Sequence, residues 1–254
     1  MTINQAFELL KDAGGIRAAR IITDNFPKIS WFRAHIIAHR LRRGAPVAKI
    51  IHKKWFYGLE FYTNRKTLDP RPDTETLVES VLSNDWHAPK ILDLGTGTGC
   101  IIAAIAKNID SATGTAVDIS RGALRVARRN IKKLNLRNRI KIKRGTFANP
   151  RLTREKFDII VSNPPYIAMG DPRVDAGAKH DPRIALYAKN CGMAAYEQIA
   201  KNAKNWIAEN GKLYIEIGAG AEVSVRKIFE YAGWKFTRAD RDLAGITRVL
   251  VFTI

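Results

Sequence analysis

From residue 90 to residue 253, short apolar runs alternate with amphipathic segments, and this alternation strongly limits the possible folds. Strands are predicted at 90–94, 113–118, 139–143, 157–161, 211–217, 234–239 and 247–253. Helices are predicted at 98–107, 121–135, 192–208 and 220–232. Alternating strands and helices form a mostly parallel sheet that helices cover on both faces. The sequence therefore predicts an α/β fold, in which ligands bind at the carboxyl ends of the strands.

The residues before this region have a different pattern. Three apolar faces recur at helical spacing between residues 2 and 42, separated by Gly14-Gly15 and Phe26-Pro27: Ala6, Phe7, Leu9 and Leu10; Ile16, Ala19, Ile21 and Ile22; Trp31, Phe32, Ile36, Ile37 and Leu41. Residues 54–63 alternate around Gly58, which predicts a β-hairpin. After Pro70 and Pro72 a helix opens, which Asp73 or Thr74 can cap. We expect a helical domain at 1–45, a hairpin linker at 46–69 and a third unit at 70–254.

A strand that enters a helix through alternating glycines is the first candidate binding site. Ile91-Leu92-Asp93-Leu94 leads into Gly95-Thr96-Gly97-Thr98-Gly99. Glycines here let the backbone turn sharply and approach a ligand closely. The spacing differs from the G-x-G-x-x-G of dinucleotide binders and lacks the lysine of a P-loop, which disfavours a phosphate cradle.

The next predicted strand ends in Asp118, about twenty residues further on, where a ribose would present its hydroxyls. An adenosine-type ligand without a pyrophosphate satisfies both observations, and S-adenosylmethionine is such a ligand. In this interpretation Asp93 lies near the amino-acid end of the ligand, the glycine backbone follows the ligand, and Asp118 binds the ribose.

Asn163-Pro164-Pro165-Tyr166 follows the fourth predicted strand and forms the second candidate site. Consecutive prolines carry no N–H, so the local carbonyls are not committed to a sheet ladder. A carboxamide oxygen beside a rigid carbonyl forms a double acceptor for an –NH2 group, and Tyr166 offers a flat face to a planar group. Such acceptors orient the lone pair of a conjugated nitrogen and stabilise the positive charge that grows during alkylation. A proline-rich turn is the simpler interpretation of these four residues alone, and the upstream loop favours the site.

Together these features resemble a class I methyltransferase. More narrowly, the chain resembles the N5-glutamine methyltransferases of peptide chain release factors, the PrmC/HemK family, over about residues 40–254. The blocks Pro70-Arg71-Pro72-Asp73-Thr74-Glu75 and Asp181-Pro182-Arg183-Ile184-Ala185-Leu186 single out this family among enzymes with Asn-Pro-Pro-Tyr. The remaining blocks lie at 43–46, 56–61, 93–99, 162–167 and 242–249.

The resemblance implies a Rossmann-like domain over residues 70–254, with a seven-stranded, mostly parallel sheet whose last strand is antiparallel. It also implies a small helical N-terminal domain and a hairpin linker. The implied reaction moves a methyl group from S-adenosylmethionine to the side-chain amide nitrogen, N5, of the glutamine in a release factor's Gly-Gly-Gln motif, leaving S-adenosylhomocysteine. Residues 163–166 would be catalytic. The cofactor would be held by Asp93, Gly95, Thr96, Gly97, Thr98, Gly99, Asp118, Phe147 and Asn163.

The sequence departs from the family's pattern at three places. The family usually has Gly-Asp before an aromatic residue after the third strand, and this chain has Gly145-Thr146-Phe147. Phe147 can still cover the adenine face, but the neutral Thr146 replaces an acidic contact to the cofactor. Residues 190–193 replace a Gly/Asp-rich turn in the candidate substrate lid at 167–192. The N-terminal helical segment is shorter than the family's, which predicts a reduced role in docking the release factor.

The formal charge is +19, and this balance favours an anionic partner or neighbourhood. Residues 121–144 contain eleven lysines or arginines and no acidic residue. One face of the predicted helix is basic and the other apolar: Arg121, Arg125, Arg128, Arg129, Lys132 and Lys133 against Leu124, Ala127, Ile131 and Leu134. Residues 121–133 are therefore a candidate contact for RNA or an acidic surface, and a solvated outer face is the simpler alternative.

Only two cysteines, Cys100 and Cys191, are present, which predicts a reducing compartment. Neither a signal-peptide pattern nor an apolar run of membrane-spanning length is found, so we expect a cytoplasmic protein without a membrane contact. His35 and His39 have metal-ligand spacing without a third ligand, and no metal is expected.

Two other functions remain open from the sequence. An N6-adenine methyltransferase acting on DNA or RNA would use the same acceptors, because an adenine amino group is also a conjugated nitrogen. The positive charge favours it, while the family blocks and the lack of a sizeable target-recognition insert oppose it. A cofactor-binding scaffold without turnover is opposed by the intact residues 163–166.

Overall fold

The computed structural model describes residues 1–152, 155–171 and 179–254. Its helices are α1 (Ile3–Asn25), α2 (Trp31–Arg42), α3 (Val47–Ile51), α4 (Glu75–Leu82), α5 (Cys100–Asn108), α6 (Arg121–Lys133), α7 (Arg183–Leu186), α8 (Ala194–Asn202) and α9 (Glu222–Tyr231). Its strands are β1 (Lys53–Phe56), β2 (Leu59–Tyr62), β3 (Lys90–Leu94), β4 (Thr113–Asp118), β5 (Ile140–Arg144), β6 (Phe157–Ser162), β7 (Ile167–Ala168), β8 (Tyr187–Ala188), β9 (Ile207–Glu216), β10 (Lys235–Arg241) and β11 (Thr247–Thr253).

Seven strands form the central sheet in the order β10-β11-β9-β6-β3-β4-β5. Neighbours from β9 to β5 run parallel, whereas β11 pairs antiparallel with both β9 and β10. The predicted fold class is therefore confirmed: the sheet is mostly parallel and its last strand is antiparallel. The carboxyl ends of β3, β4 and β6 meet at one edge, which brings the two candidate sites together.

Helices cover both faces of this sheet. On one face, α4, α5 and α6 pack with the hairpin residues Phe56 and Phe61, and on the other face lie α8 and α9. Consecutive strand residues such as Ile91 and Leu92 point to opposite faces and are both fully buried. Such continuous apolar strands are the pattern of a parallel sheet without a solvated face.

The largest difference from the predicted element boundaries lies between α8 and β9. The helix predicted at 192–208 ends at Asn202 as α8, and a 3-10 turn at Ala203–Asn205 follows. Strand β9 then begins at Ile207, four residues before the predicted start, because Ile207 pairs with Phe157 at the beginning of β6. The apolar pattern of residues 206–208 fits either element, and the neighbouring strand decides between them.

The N-terminal helices have a core of their own, formed by residues such as Leu10, Ile22 and Ile37. Helix α1 is interrupted at Gly15, whose φ of 85° breaks the helical backbone, as the glycine pair predicts. The predicted third apolar face is partly wrong, because Trp31, Phe32 and Ile36 are 60%, 68% and 45% exposed. Helix α2 instead buries Ala34, Ile37, Ala38 and Leu41, which follow the i, i+3, i+4, i+7 spacing of one face.

The predicted hairpin is present as β1 and β2. Its turn residues Tyr57 and Gly58 both have positive φ, 48° and 70°, as a two-residue turn between twisted strands requires. The predicted capping of α4 is wrong, since neither Asp73 nor Thr74 caps it with a side-chain hydrogen bond. The Asp73 carboxylate pairs with Arg248 at 2.7 Å, and the Thr74 hydroxyl accepts from Asn163 in the candidate site.

In the described part of the chain, no helix combines the length and the apolar character needed to cross a bilayer. Cys100 is buried and Cys191 is exposed, and both are free thiols. The candidate lid at 167–192 is described except for residues 172–178, which lie outside the described residues.

Candidate active site

A cavity of about 540 Å³ opens at the carboxyl ends of β3, β4 and β6. Eight residues predicted for the site line it: Gly95, Thr96, Gly97, Thr98, Asp118, Phe147, Asn163 and Pro165. Four others lie outside this lining: Asp93, Gly99, Pro164 and Tyr166. The fold thus places the glycine loop and the Asn-Pro-Pro-Tyr segment around one space.

The glycine loop is fixed to the neighbouring strand. Backbone N–H groups of Gly95 and Thr96 both donate to the Val117 carbonyl, at 2.9 Å each. Gly95 has a φ of 80°, and a Cβ built on it would lie 3.3 Å from the Phe147 ring. Only glycine accommodates both the backbone angle and this close approach without strain.

Asp118 connects the loop to the end of β4. Its Oδ2 accepts the Gly97 N–H at 3.0 Å, and its Oδ1 accepts the Ser120 N–H at 2.8 Å. Burial raises the pKa of this carboxyl, and the backbone hydrogen bonds oppose the increase. Each carboxylate oxygen keeps a further lone pair, so Asp118 can also accept the hydroxyls of a sugar.

Asp93 lies beneath the loop and is fully buried. Its Oδ2 accepts the Thr96 hydroxyl at 2.6 Å, and its Oδ1 has no hydrogen-bond partner among the described residues. Burial raises the pKa of the carboxyl to about 7. An unsatisfied buried carboxylate oxygen beside a cavity fits a cationic group of a ligand, such as an ammonium.

Asn163 is held by a residue from the start of α4. Its Nδ2 donates to the Thr74 hydroxyl oxygen at 3.1 Å. A carboxamide that donates through its nitrogen presents its oxygen in the other direction, so Oδ1 is available to accept hydrogen bonds from a bound group. Thr74 also lines the cavity, which places the Pro-Arg-Pro-Asp-Thr-Glu segment in the site.

Glu216 is a site residue that the sequence interpretation missed. It ends β9 beside β6, is only 3% exposed, and its Oε2 has no hydrogen-bond partner in the described structure. Burial raises the pKa of this carboxyl to about 7, and the polar side chains of Thr74 and Asn163 beside it oppose the increase. A lone acid at the end of the apolar strand Leu213–Ile215 was the signal that could have identified it.

Tyr166 packs against the backbone of Gly218. A Cβ built on Gly218 would lie 3.0 Å from the Tyr166 ring. Burial raises the pKa of the Tyr166 phenol to about 12. The ring is half-buried and lies outside the lining of the cavity.

The opposite wall of the cavity comes from the segment after residue 181, including Pro182, Ile184 and Tyr187. Its anchor is a buried ion-pair network. Lys49 Nζ lies 2.7 Å from Asp69 and 3.0 Å from Asp181. Helix α3, the linker and this wall are therefore joined by one lysine, and neither α3 nor α7 was predicted.

The comparisons with known proteins agree with this geometry. Residues 65–179 match the family described as "Methyltransferase small domain". The release factor glutamine methyltransferase of Agrobacterium fabrum is 38% identical over 231 residues, which cover 87% of this chain and 78% of that protein. The corresponding protein of Streptococcus pneumoniae is 38% identical over 220 residues, covering 85% and 77%.

Other relatives are longer. The bifunctional methyltransferase of Rickettsia felis is 37% identical over 250 residues, which cover 86% of this chain and 47% of that protein. The chain thus spans about half the length of the bifunctional relatives that it matches. A solved methyltransferase from Pyrococcus furiosus shares the fold with a TM-score of 0.59 at 18% identity, covering 89% of this chain and 100% of the other.

Proposed function

The chain belongs to the family of release factor glutamine methyltransferases, and we propose that it methylates a peptide chain release factor at the glutamine of its Gly-Gly-Gln motif. The methyl group comes from S-adenosylmethionine and is added to the side-chain amide nitrogen, N5. The observation that carries the proposal is the placement of the Asn163 carboxamide in the same cavity as the glycine loop and Asp118.

The residues of the cavity fit the cofactor, which supplies an electrophilic methyl group on a sulfonium sulfur. Asp118 would accept the ribose hydroxyls while it keeps its two backbone hydrogen bonds. Phe147 would cover the adenine, and the unsatisfied Asp93 Oδ1 would attract the ammonium of the amino-acid end. Thr146 also lines the cavity beside Phe147, where it offers a neutral hydroxyl instead of a carboxylate.

The proposed chemistry follows from the weak basicity of an amide nitrogen. A base that removes its proton before attack would need improbable strength, whereas the proton leaves readily once the nitrogen carries the methyl group and positive charge. The site therefore needs acceptors in fixed positions. Asn163 Oδ1 would accept one N–H of the glutamine, and the Pro164 carbonyl would accept the other. Tyr166 would pack on the amide plane once the substrate is bound.

We assign Thr74 and Glu216 as positioning residues for Asn163. Thr74 accepts from the Asn163 amide nitrogen, and the Glu216 carboxyl interacts with both side chains. An ionised Glu216 is an acceptor only, so it favours the orientation in which the Asn163 nitrogen faces the protein and the oxygen faces the cavity. A charged acceptor behind the carboxamide also polarises it, which strengthens Oδ1 as an acceptor.

We further propose that the exposed basic face of α6 contacts RNA or an acidic surface. Arg121, Arg125, Arg128 and Lys132 are exposed, whereas Leu124, Ala127 and Ile131 are buried. A contact of this kind loses affinity steeply with added salt. The division of the chain at 1–45, 46–69 and 70–254 and a cytoplasmic location are likewise proposals, which the separate N-terminal core and the two free thiols support.

The proposal is tested with the purified protein, labelled S-adenosylmethionine and a full-length release factor. A release factor with alanine in place of the motif's glutamine is the substrate control, and adenine-containing DNA and RNA are the competing substrates. We expect label only in the factor that keeps its glutamine. Transfer of label to nucleic acid and not to the release factor would reject the proposal.

Asn163→Ala tests the mechanism within that assay. Removal of one preorganised electrostatic partner lowers kcat by roughly a hundredfold or more. Asn163→Asp keeps an acceptor and should retain more activity than the alanine variant, in which cofactor affinity should fall far less than turnover. If Asn163→Ala turned over at nearly the parental rate, the hydrogen bond that Asn163 Oδ1 accepts from the substrate amide would not contribute to catalysis.

A further inference from the structure

A second cavity, of about 600 Å³, lies between α2 and the end of the hairpin, apart from the glycine loop. Its basic and imidazole lining includes Arg40, Arg43, Arg65, Lys66, His52 and His180. Helix α2 contributes Arg40, the linker contributes Arg65 and Lys66, and His180 comes from the segment before α7. The cavity therefore collects positive side chains from distant parts of the chain.

Apart from Lys49, the cations of this cavity lack acidic partners in the described part of the chain. Among residues 1–152, 155–171 and 179–254, none of the lining residues is an aspartate or glutamate. Lys49 also lines the cavity, but Asp69 and Asp181 neutralise it from outside the lining. The charged ends of Arg43, Arg65 and Lys66 have no hydrogen-bond or ion-pair partner in the described structure. Three like charges around one concave space repel each other, and an anion in that space would relieve this repulsion.

We propose that this cavity binds a phosphate group. A phosphate carries up to two negative charges and three acceptor oxygens, which two guanidinium forks and an ammonium can meet together. A single carboxylate would fill one fork and leave the other cations unmatched. The Thr63 carbonyl oxygen accepts from His52 Nδ1–H at 3.0 Å, and His52 as an imidazolium can also donate from Nε2 to the anion. The Arg43 carbonyl oxygen accepts from His180 Nε2–H at 3.2 Å, and His180 as an imidazolium can likewise donate from Nδ1.

The position of the cavity gives the bound phosphate a role in assembly of the site. Lys66 lines both this cavity and the cavity that holds the glycine loop. An anion held by Arg43, Arg65 and Lys66 would connect helix α2 and the linker to the edge of the proposed cofactor cavity. The site is distinct from the proposed methyl-transfer residues, and its existence does not depend on which substrate is methylated.

The test compares two double variants that each remove two exposed arginines. Arg43→Gln/Arg65→Gln changes the cavity, and Arg17→Gln/Arg20→Gln removes the same charge from the exposed surface of α1, outside it. The probes are pyrophosphate, which represents a free phosphate ligand, and a short single-stranded RNA, which represents a phosphate backbone. Calorimetric titrations are run at a constant ionic strength of about 0.15 M, where distant surface charges are screened.

Whichever of the two probes the parent protein binds, we expect the cavity variant to bind it at least about tenfold more weakly, since two charge-assisted contacts are lost. The α1 variant should bind it within about twofold of the parent. Pyrophosphate binding with this dependence identifies a free phosphate ligand, and RNA binding alone with the same dependence identifies a nucleic-acid backbone. Absence of binding by both probes, or an equal loss in the two variants, would overturn the proposal. Neither readout involves methyl transfer, so failure here leaves the proposed activity untouched.

Discussion

Glu216→Gln should change stability and activity in opposite directions. The pKa of the buried Glu216 carboxyl is raised from 4.5 to about 7, which corresponds to about 3 kcal/mol of unfavourable ionisation in the folded protein. The folded state binds this proton more tightly than the unfolded state, so stability falls as pH rises from about 4.5 to about 7. Below that window both states are protonated and the cost is absent; above it the full cost remains.

The neutral glutamine of the variant cannot ionise. Glu216→Gln should therefore gain up to about 3 kcal/mol over the parent above pH 7, and nothing near pH 4.5. The difference between the two proteins isolates this group, because the other charged and titratable groups near it are common to both: Asp73, Arg248, Tyr166, Tyr196 and Cys100.

Turnover should decline in the same variant. Its amide adds N–H donors where Thr74 and Asn163 need an acceptor, so the Asn163 carboxamide is no longer held with its oxygen toward the cavity. Loss of one such hydrogen bond is worth about 1.5 kcal/mol, and kcat should fall roughly tenfold at saturating cofactor. Cofactor affinity should stay within about twofold, since Glu216 does not line the cavity.

Urea unfolding between pH 5 and 8 and kcat at each pH measure both effects. Glu222→Gln is the matched control, because Glu222 is a glutamate that accepts the Thr247 hydroxyl at 2.9 Å and lies outside this cluster. It should leave kcat unchanged. A stability difference for Glu216→Gln that is the same at pH 5 and pH 8, or an unchanged kcat, would refute the reasoning.

Two further predictions concern the cofactor and the wall of the cavity. Asp118→Asn should weaken S-adenosylmethionine binding by about 1.5–3 kcal/mol, because a carboxamide cannot accept both ribose hydroxyls and both backbone N–H groups; an unchanged affinity by calorimetry would contradict the assignment. Lys49→Met should lower the free energy of unfolding by about 3–5 kcal/mol, since it removes the ion-pair partner of the buried Asp69 and leaves Asp181 with Arg71 alone. Adding Asp181→Asn should recover part of that loss in denaturant titrations, and a single-variant loss below about 1 kcal/mol would show that the network is weak.

The long elements of the fold were predictable because each has a period that the sequence displays. Strands β3, β4 and β11 begin and end at the predicted residues, and each contains at least three consecutive buried residues, as expected in a sheet covered on both faces. The short elements α3 and α7, of five and four residues, contain too few positions to show any period. Their positions depend on tertiary contacts such as the Lys49 network, which joins residues far apart in the chain.

The residues of the candidate site also fall into two groups: those that local sequence spacing identifies and those that only strand pairing brings together. The glycine loop lies within one strand-to-helix connection, so its residues could be identified from local spacing. Glu216 could not be identified so, because it meets Asn163 only through the pairing of β6 with β9, in which Ser162 lies opposite Ile215. The sequence separation between them carries no information about this pairing until the strand order is known.

Two buried carboxylates, Asp93 and Glu216, lie at the ends of strands that flank the cavity, and burial raises the pKa of each to about 7. Each also has one oxygen without a hydrogen-bond partner in the described structure. Packing alone would favour an apolar or amide side chain at both positions, because an unsatisfied buried acid lowers stability. Asp93 and Glu216 are therefore two buried acids that reduce stability at one edge of the sheet. Residues of this kind are typical of functional sites. The expected rise in the free energy of unfolding of Glu216→Gln measures how much the buried acid destabilises the protein. The expected fall in its kcat measures how much the same acid contributes to the reaction.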